Sequence, residues 1–342
     1  TLDRSSAASD VYKRQGPWQP VVASRLATAP WGRLDRSGKS LYPRSMPQPV
    51  YDLLFGASNV ALSAHPRGLE NAQSPKLARP DAKLAGHAGG HAPAIPTDAW
   101  PRSPSTGFPM VHVVTFELPP EYRRKGPELV GLSLFQADDH VAKPTPGAKE
   151  ALTTGLSNEK SPFFASLVRA HGARHPETCD LTDLIGGNFV AIWLREHELH
   201  GPRTAPPSDD RGSAPAVETG QNLNAWDHTK PEVLVWMAER SFDPNAGKAP
   251  VEVYGDEDAP PTPYVPSDEY VDVILSPVEM LKAFYEEHHG RSHLGGTCLA
   301  VQSMPEGLTP WFLELEDEIG GANFGGGNLQ YDLESGVFDW AC

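Results

Sequence analysis

Cysteine is scarce: Cys179, Cys298 and Cys342 are the only three in 342 residues, and no CxxC occurs. So odd and sparse a set builds neither a disulfide framework nor a cysteine zinc site. Long apolar runs are missing. None approaches the ~18 residues that a membrane-spanning helix needs, so no membrane partner is expected. Positive charge is short too, with 29 Lys and Arg against 44 Asp and Glu, a formal net charge of −15. That balance excludes a nucleic-acid binder working by phosphate neutralisation. Catalytic signatures are lacking as well, with no G-x-S-x-G and no HExxH.

What the chain does hold is proline and glycine, 35 and 31 residues, beside a hydrophobic share of 39%. The length is about two domains' worth and suffices for a sizeable core. The chain starts at Thr1 and stops at Cys342 directly after the apolar Val337-Phe338-Asp339-Trp340-Ala341, so both ends read as cut. Residues 5–15 resemble a translated sequencing adapter, and residues 1–15 are set aside from fold reasoning. Residues 16–86 read as a Pro-rich basic leader, mostly irregular. Residues 1–86 carry net +6, which leaves −21 on the rest, and 14 prolines fall between Gly16 and Pro109. Each proline removes a backbone donor and restricts its predecessor. One short helix is expected there, Pro49 to about Ala64, from the spacing of Val50, Leu53, Leu54 and Val60. Either the leader folds back onto the acidic body by charge or it is not native sequence, and deleting residues 1–80 is expected to leave folding intact. Ser37-Gly38-Lys39-Ser40 ends like a phosphate-binding loop. The spacing from Gly32 fails, however, and Pro43 blocks the helix that would hold the phosphate.

Residues 87–342 read as an acidic α+β body, with largely antiparallel sheets, a few helices and long loops. Strands are expected at 111–118, 129–136, 189–194, 233–238, 251–254, 270–275, 298–302, 311–315, 329–333 and 337–340, from β-branched and aromatic runs bounded by Pro and Gly. Residues 140–160 and 201–230 read as loops. Ser161-Pro162 starts a short helix to Ala170. Ser276-Pro277-Val278-Glu279 is a capping box that opens a helix ending at Gly290.

Two stretches look alike. Gly89-Gly90, Trp100, a strand ending Thr115-Phe116-Glu117-Leu118 and Gly131-Leu132-Ser133-Leu134-Phe135 match Gly295-Gly296, Trp311-Phe312-Leu313-Glu314-Leu315 and Gly327-Asn328-Leu329-Gln330-Tyr331 in order. The spacing predicts a duplicated unit, about 89–139 and 293–340, with copies related by an approximate two-fold rotation and a concave site at their seam.

These residues also carry a family resemblance. Gly89-Gly90, Pro93, Ile95-Pro96, Trp100-Pro101 and Pro109-Met110 resemble the opening pattern of the YwqG-like family of bacterial proteins. His293-Leu294-Gly295-Gly296 with Gln302 is similar to that family's second Gly-Gly element, and 311–315 and 324–329 to its closing strands and Gly-rich turn. The resemblance spans roughly residues 85–340. Cys298 and Asn328 depart from the pattern, and 140–270 matches nothing. It implies a duplicated α+β fold and a cytoplasmic location, and it implies no reaction.

Chemistry-bearing clusters are few. Glu286, His289 and His293 offer nitrogen and carboxylate ligands suited to zinc, but Gly290 interrupts them and a solvated helix end accounts for them better. Glu196-His197-Glu198-Leu199-His200 reads as a polar strand end. Cys298 reads as an inert thiol in an apolar run. The carboxylate runs 138–139, 209–210, 256–258 and 316–318 read as solvated loops. Glycine is the better indicator, where φ is positive or something approaches the backbone closely. Gly89, Gly90, Trp100, His293, Gly295, Gly296 and Gln302 are therefore the expected binding residues, with no cofactor. The leading reading is a non-enzymatic cytoplasmic binding protein, antitoxin- or immunity-like in one form, whose acidic body draws a partner with a basic surface. The alternative is a metal- or carboxylate-dependent hydrolase.

Overall fold

The computed structural model describes residues 48–56, 79–137, 143–155, 161–216, 224–243, 245–250, 284, 287–301, 304–317 and 319–341. All of these belong to one compact unit, Pro47–Cys342. The expected strands at 251–254 and 270–275 lie outside the described residues. Of the helix expected over 276–290, Phe284, Glu287 and His288 are described and are helical.

In chain order the strands are β1 Tyr51–Gly56, β2 Lys83–Ala88, β3 Ala92–Pro93, β4 Val111–Glu117, β5 Leu129–Ala137, β6 Thr178–Thr182, β7 Asn188–Arg195, β8 Arg203–Thr204, β9 Val233–Glu239, β10 His293–Leu294, β11 Phe312–Glu316, β12 Asn328–Asp332 and β13 Phe338–Ala341. β3 and β8 pair with each other. The other 11 form one sheet in the order β13-β12-β11-β10-β1-β9-β2-β4-β5-β7-β6. Every pairing is antiparallel. The sheet curls until its edges meet. Trp340 Nε1 donates to Asp183 Oδ2, Leu184 N donates to Asp339 Oδ1 at 3.4 Å, and the Phe189 and Phe338 rings lie 4.7 Å apart. The result is a nearly closed, barrel-like sheet.

Alternation along the strands divides two faces. Leu53, Val235, Phe116, Leu132, Leu134, Trp193, Leu294, Leu313, Leu315, Leu329 and Tyr331 fill the interior. On the outer face of β5 and β7, Phe135, Val190, Ile192 and Leu194 pack against Ala92, Ile95, Ala99, Trp100 and Met110. Helices are few and short. α1 Ala148–Thr154 and α2 Pro162–Gly172 pack on each other, and α3 Glu196–Leu199 and α4 Ala225–His228 are single turns. Among the described residues, no helix is long and apolar enough to cross a membrane. The molecule is thus mostly antiparallel β, with few helices.

Several expectations need correction. Residues 51–56, expected within a helix, form β1, and β1 lies inside the sheet between β10 and β9. Tyr51-Asp52-Leu53-Leu54-Phe55-Gly56 buries side chains on both faces, which removes the polar alternation that marks a half-exposed strand. Residues 83–86, assigned to the irregular leader, belong to β2, which is held between β9 and β4. The expected loop 140–160 contains α1, and 196–200 is a helical turn, not a strand end. Residues 298–301 are not a strand; they are irregular chain. α2 starts at Ser161-Pro162 as expected, yet the Ser161 side chain makes no capping hydrogen bond.

Candidate functional site

β12 reads Asn-Leu-Gln-Tyr-Asp, an alternation whose polar face would ordinarily meet water. Here that face is buried: Asn328, Gln330 and Asp332 are each at most 1% exposed. Gln330 belongs to a row of directly paired residues that crosses the outer face of the sheet. Asp52 on β1 sits opposite His293 on β10, His293 opposite Glu314 on β11, Glu314 opposite Gln330, and Gln330 opposite Asp339 on β13. Paired positions in an antiparallel sheet bring side chains together.

The middle of the row, His293, Glu314 and Gln330, is joined by hydrogen bonds. His293 Nε2 meets Glu314 Oε1 at 3.1 Å and its Nδ1 meets the Gly295 carbonyl at 2.9 Å. Glu314 Oε2 accepts from Leu299 N at 2.9 Å, Cys298 Sγ at 3.3 Å and Gln330 Nε2 at 3.3 Å. Burial alone would raise the Glu314 carboxyl. The charge and hydrogen bond of His293 and these donors outweigh burial and hold it below the usual carboxylate range. Glu316, two residues on, behaves oppositely. Burial pushes it up to about 8, the Glu314 charge adds to the rise, and the Asn328 amide opposes it. Gln330 Oε1 is buried and has no hydrogen-bond partner among the described residues.

Beside the Asp52 end of the row lies a cleft of about 140 Å³, lined by Asp52, Leu54, Arg79, Arg240, His288 and Arg291, with Ser241, Phe242, Phe284 and Glu287 completing the wall. Asp52 is 1% exposed and is clamped by two guanidiniums, Arg240 at 2.6 Å and 2.9 Å and Arg79 at 3.2 Å. Burial would raise its carboxyl, but Arg240 holds it low. Arg240 also donates to Asp243 Oδ2 at 2.6 Å, and Asp243 in turn accepts from Thr297 N and Oγ1 at 3.2 Å and 3.0 Å. Burial pushes His288 down to about 3, with Arg240 adding to the effect, so its ring is neutral at ordinary pH. A second cavity, about 260 Å³, lies under α2. Its floor is largely apolar, with Met110, Leu167, Phe189 and Val190, and its rim carries His171 and Arg174, the latter paired with Asp180.

The residues singled out in the sequence are distributed as follows. His293 and Gly295 belong to the network, and Gly296 lies against Asp243. Gly295 and Gly296 have φ of +65° and +78°, and a Cβ on them would strike the Tyr122 hydroxyl and Asp243 Oδ2. Gly89 and Gly90 also have positive φ, but their near neighbours are Lys230, Pro231 and Glu232. The two Gly-Gly turns therefore do not line one cleft. Trp100 is fully buried, edge-on to Phe135 at 5.4 Å, with Nε1 donating to the Met110 carbonyl at 2.9 Å. It packs the outer core and lines neither cavity. Gln302 and Glu286 lie outside the described residues. His289 is exposed while both ring nitrogens of His293 are engaged, so these two do not form the start of a metal site. Among the described residues, no group of three His, Cys, Asp or Glu is placed to hold a metal ion.

Asp52, Arg79, Arg240 and Arg291 were missed, while His288 stood in the run 286–289 read as a solvated helix end and is instead buried. The missed residues come from widely separated segments, so no linear spacing announces them. One sequence signal was available: His87-Ala88-Gly89-Gly90 and His293-Leu294-Gly295-Gly296 repeat a His-x-Gly-Gly pattern. No protein-family model matches the chain, and neither a curated protein nor a solved structure matches it.

Proposed function

We propose that this is a non-enzymatic binding protein, built from two copies of a β-rich unit, whose binding site is the cleft at the seam between them. The observation that carries the reading is a contrast in access. The reactive groups of the row, His293 and Glu314, are 0% exposed and saturated by one another and by backbone, so they cannot touch a substrate. The neighbouring cleft presents fixed side chains around an open volume, which suits recognition.

Strand register supports the duplication. Leu54 on β1 faces Trp236 on β9, and outward from that pair both halves follow the same order. One half runs β9-β2-β4-β5-β7 and the other β1-β10-β11-β12-β13. Stepping through the paired residues, His87 corresponds to His293, Thr115 to Glu314, Ser133 to Gln330 and Trp193 to Trp340. The connection after β4 and the one after β11 each reach the opposite half's Gly-Gly turn. The Tyr122 hydroxyl lies 3.0 Å from the Leu294 carbonyl, and Gly320 lies against Val113 O and Gly89 N. This register pairs Thr115 with Glu314, where the sequence reading paired Glu117 with it. A YwqG-like relationship would account for the same layout.

Native mass spectrometry of the full chain, incubated with a small-molecule cell extract, tests the binding reading. Retention of one species, recovered chemically unchanged, is expected. Protein-dependent conversion of an extract component would overturn it.

A further inference from the structure

A guanidinium that is half-buried in a protein is ordinarily paired, because an uncompensated charge away from water is costly. The cleft holds three, and two are satisfied. Arg240 donates to Asp52 and Asp243, and Arg79 donates to Asp81, to Asp52 and to the Glu239 carbonyl. Both Asp52 oxygens are consumed in this way. Arg291 is the exception. It is half-buried, burial pushes its pKa down, and among the described residues its side chain makes no hydrogen bond and no ion pair. The nearest carboxylates acting on it are Asp52, already committed to the other two arginines, and Glu287, exposed at the rim.

A second unsatisfied group sits beside it. His288 is 6% exposed, and its Nδ1 is buried without a hydrogen-bond partner among the described residues. Its ring is fixed against Phe284, with centroids 4.4 Å apart. The cavity exceeds the ~10–15 Å³ that one water needs and stops short of the roughly 300–1,000 Å³ of drug-sized sites. It therefore fits a group of several heavy atoms.

Resting on the binding reading above, we infer that the cleft takes the oxyanion group of a small molecule, a phosphate or a carboxylate, held by the Arg291 guanidinium, with the neutral His288 ring as part of the wall. Arg291 supplies a planar fork of donors that matches either group. Arg240 and Arg79, paired with Asp52, Asp243 and Asp81, set the floor and add no free charge. Phe242, 52% exposed at the mouth, offers an apolar surface for the rest of the ligand. The molecule as a whole is acidic, at −15, so its long-range field does not draw anions in. Recognition depends on Arg291, which is unpaired among the described residues.

Isothermal titration of the full chain with inorganic phosphate, acetate and citrate, at constant ionic strength set with chloride, tests this. Saturable binding of at least one oxyanion is expected. Arg291→Gln should weaken it about ten-fold or more and Arg291→Lys less, in line with loss of a charge-assisted bidentate contact. Arg203→Gln, which removes an exposed arginine paired with Glu232, should leave it unchanged. Unfolding midpoints of each variant, measured in parallel, show whether loss of binding reflects loss of fold. Phosphate and acetate arms separate the two oxyanions. Binding that Arg291→Gln leaves intact overturns the inference, because the anion then sits elsewhere. Absence of oxyanion binding, with an uncharged species retained in the native mass spectrum, overturns the anion class and spares the binding reading. Turnover of an extract component removes both.

Discussion

Replacing Glu316 by Gln should stabilise this protein at neutral pH, an unusual result for a buried polar site. Glu316 is 4% exposed on β11. Burial pushes its carboxyl up to about 8, and the neighbouring Glu314 and Asp317 charges add to the rise. In the unfolded chain the same group titrates near its ordinary value of about 4.3. A carboxyl raised on folding contributes stability that is fully present below its unfolded pKa and lost as pH climbs through the folded one. At about 1.4 kcal/mol per pH unit, the loss between the unfolded pKa and pH 7 comes to about 4 kcal/mol. Glutamine keeps an oxygen to accept from Asn328 Nδ2, which lies 3.3 Å from Glu316 Oε1, and it cannot ionise. Urea unfolding of wild type and Glu316→Gln across pH 4 to 8 measures the effect. The curves should converge near pH 4 and diverge to about 3–4 kcal/mol in favour of the variant at pH 7. A variant less stable than wild type at pH 7, or a difference independent of pH, refutes the reasoning.

Three further outcomes follow from the packing. Trp100→Ala should cost about 3–5 kcal/mol in denaturant unfolding, as a fully buried Trp with a satisfied N–H implies, and leave oxyanion binding unchanged once stability is allowed for. Gly320→Ala should destabilise by several kcal/mol in the same assay, on the order of the largest single-residue effects. Its φ is +62° and a Cβ would sit 1.8 Å from the Val113 carbonyl oxygen. A chain beginning at residue 81 lacks β1, whose neighbours β9 and β10 would lose their pairing, and should show no cooperative thermal transition by circular dichroism.

The strands that were legible in the sequence are those that announce themselves locally. Val111–Glu117 and Asn188–Arg195 are β-branched and aromatic runs with breakers beside them, and they fold as strands. β2 and β10 do not announce themselves. Lys83-Leu84-Ala85-Gly86-His87-Ala88 has weak strand preference, and Gly86 marks a bulge where Thr115 O comes too close for any side chain. Tertiary pairing on both sides makes it a strand. The Gly-Gly turns were visible, and His293 beside one of them proved part of the buried row. Trp100 was misread because a tryptophan after a Gly-Gly turn looks the same in sequence whether it is packed or open. The arginines of the cleft were invisible. Arg79 and Arg240 converge on Asp52 and Arg291 joins them in the cleft only through the fold, and charge on a linear sequence carries no record of which partner is already taken.

The most direct test of the central claim is a crystal structure of the full chain soaked with selenate, a tetrahedral oxyanion that scatters anomalously. The account predicts an anomalous peak in the cleft beside Asp52 within hydrogen-bond distance of the Arg291 guanidinium, present in wild type and absent in Arg291→Gln. A cleft without selenate, with Arg291 instead paired to a carboxylate of the protein itself, would contradict it.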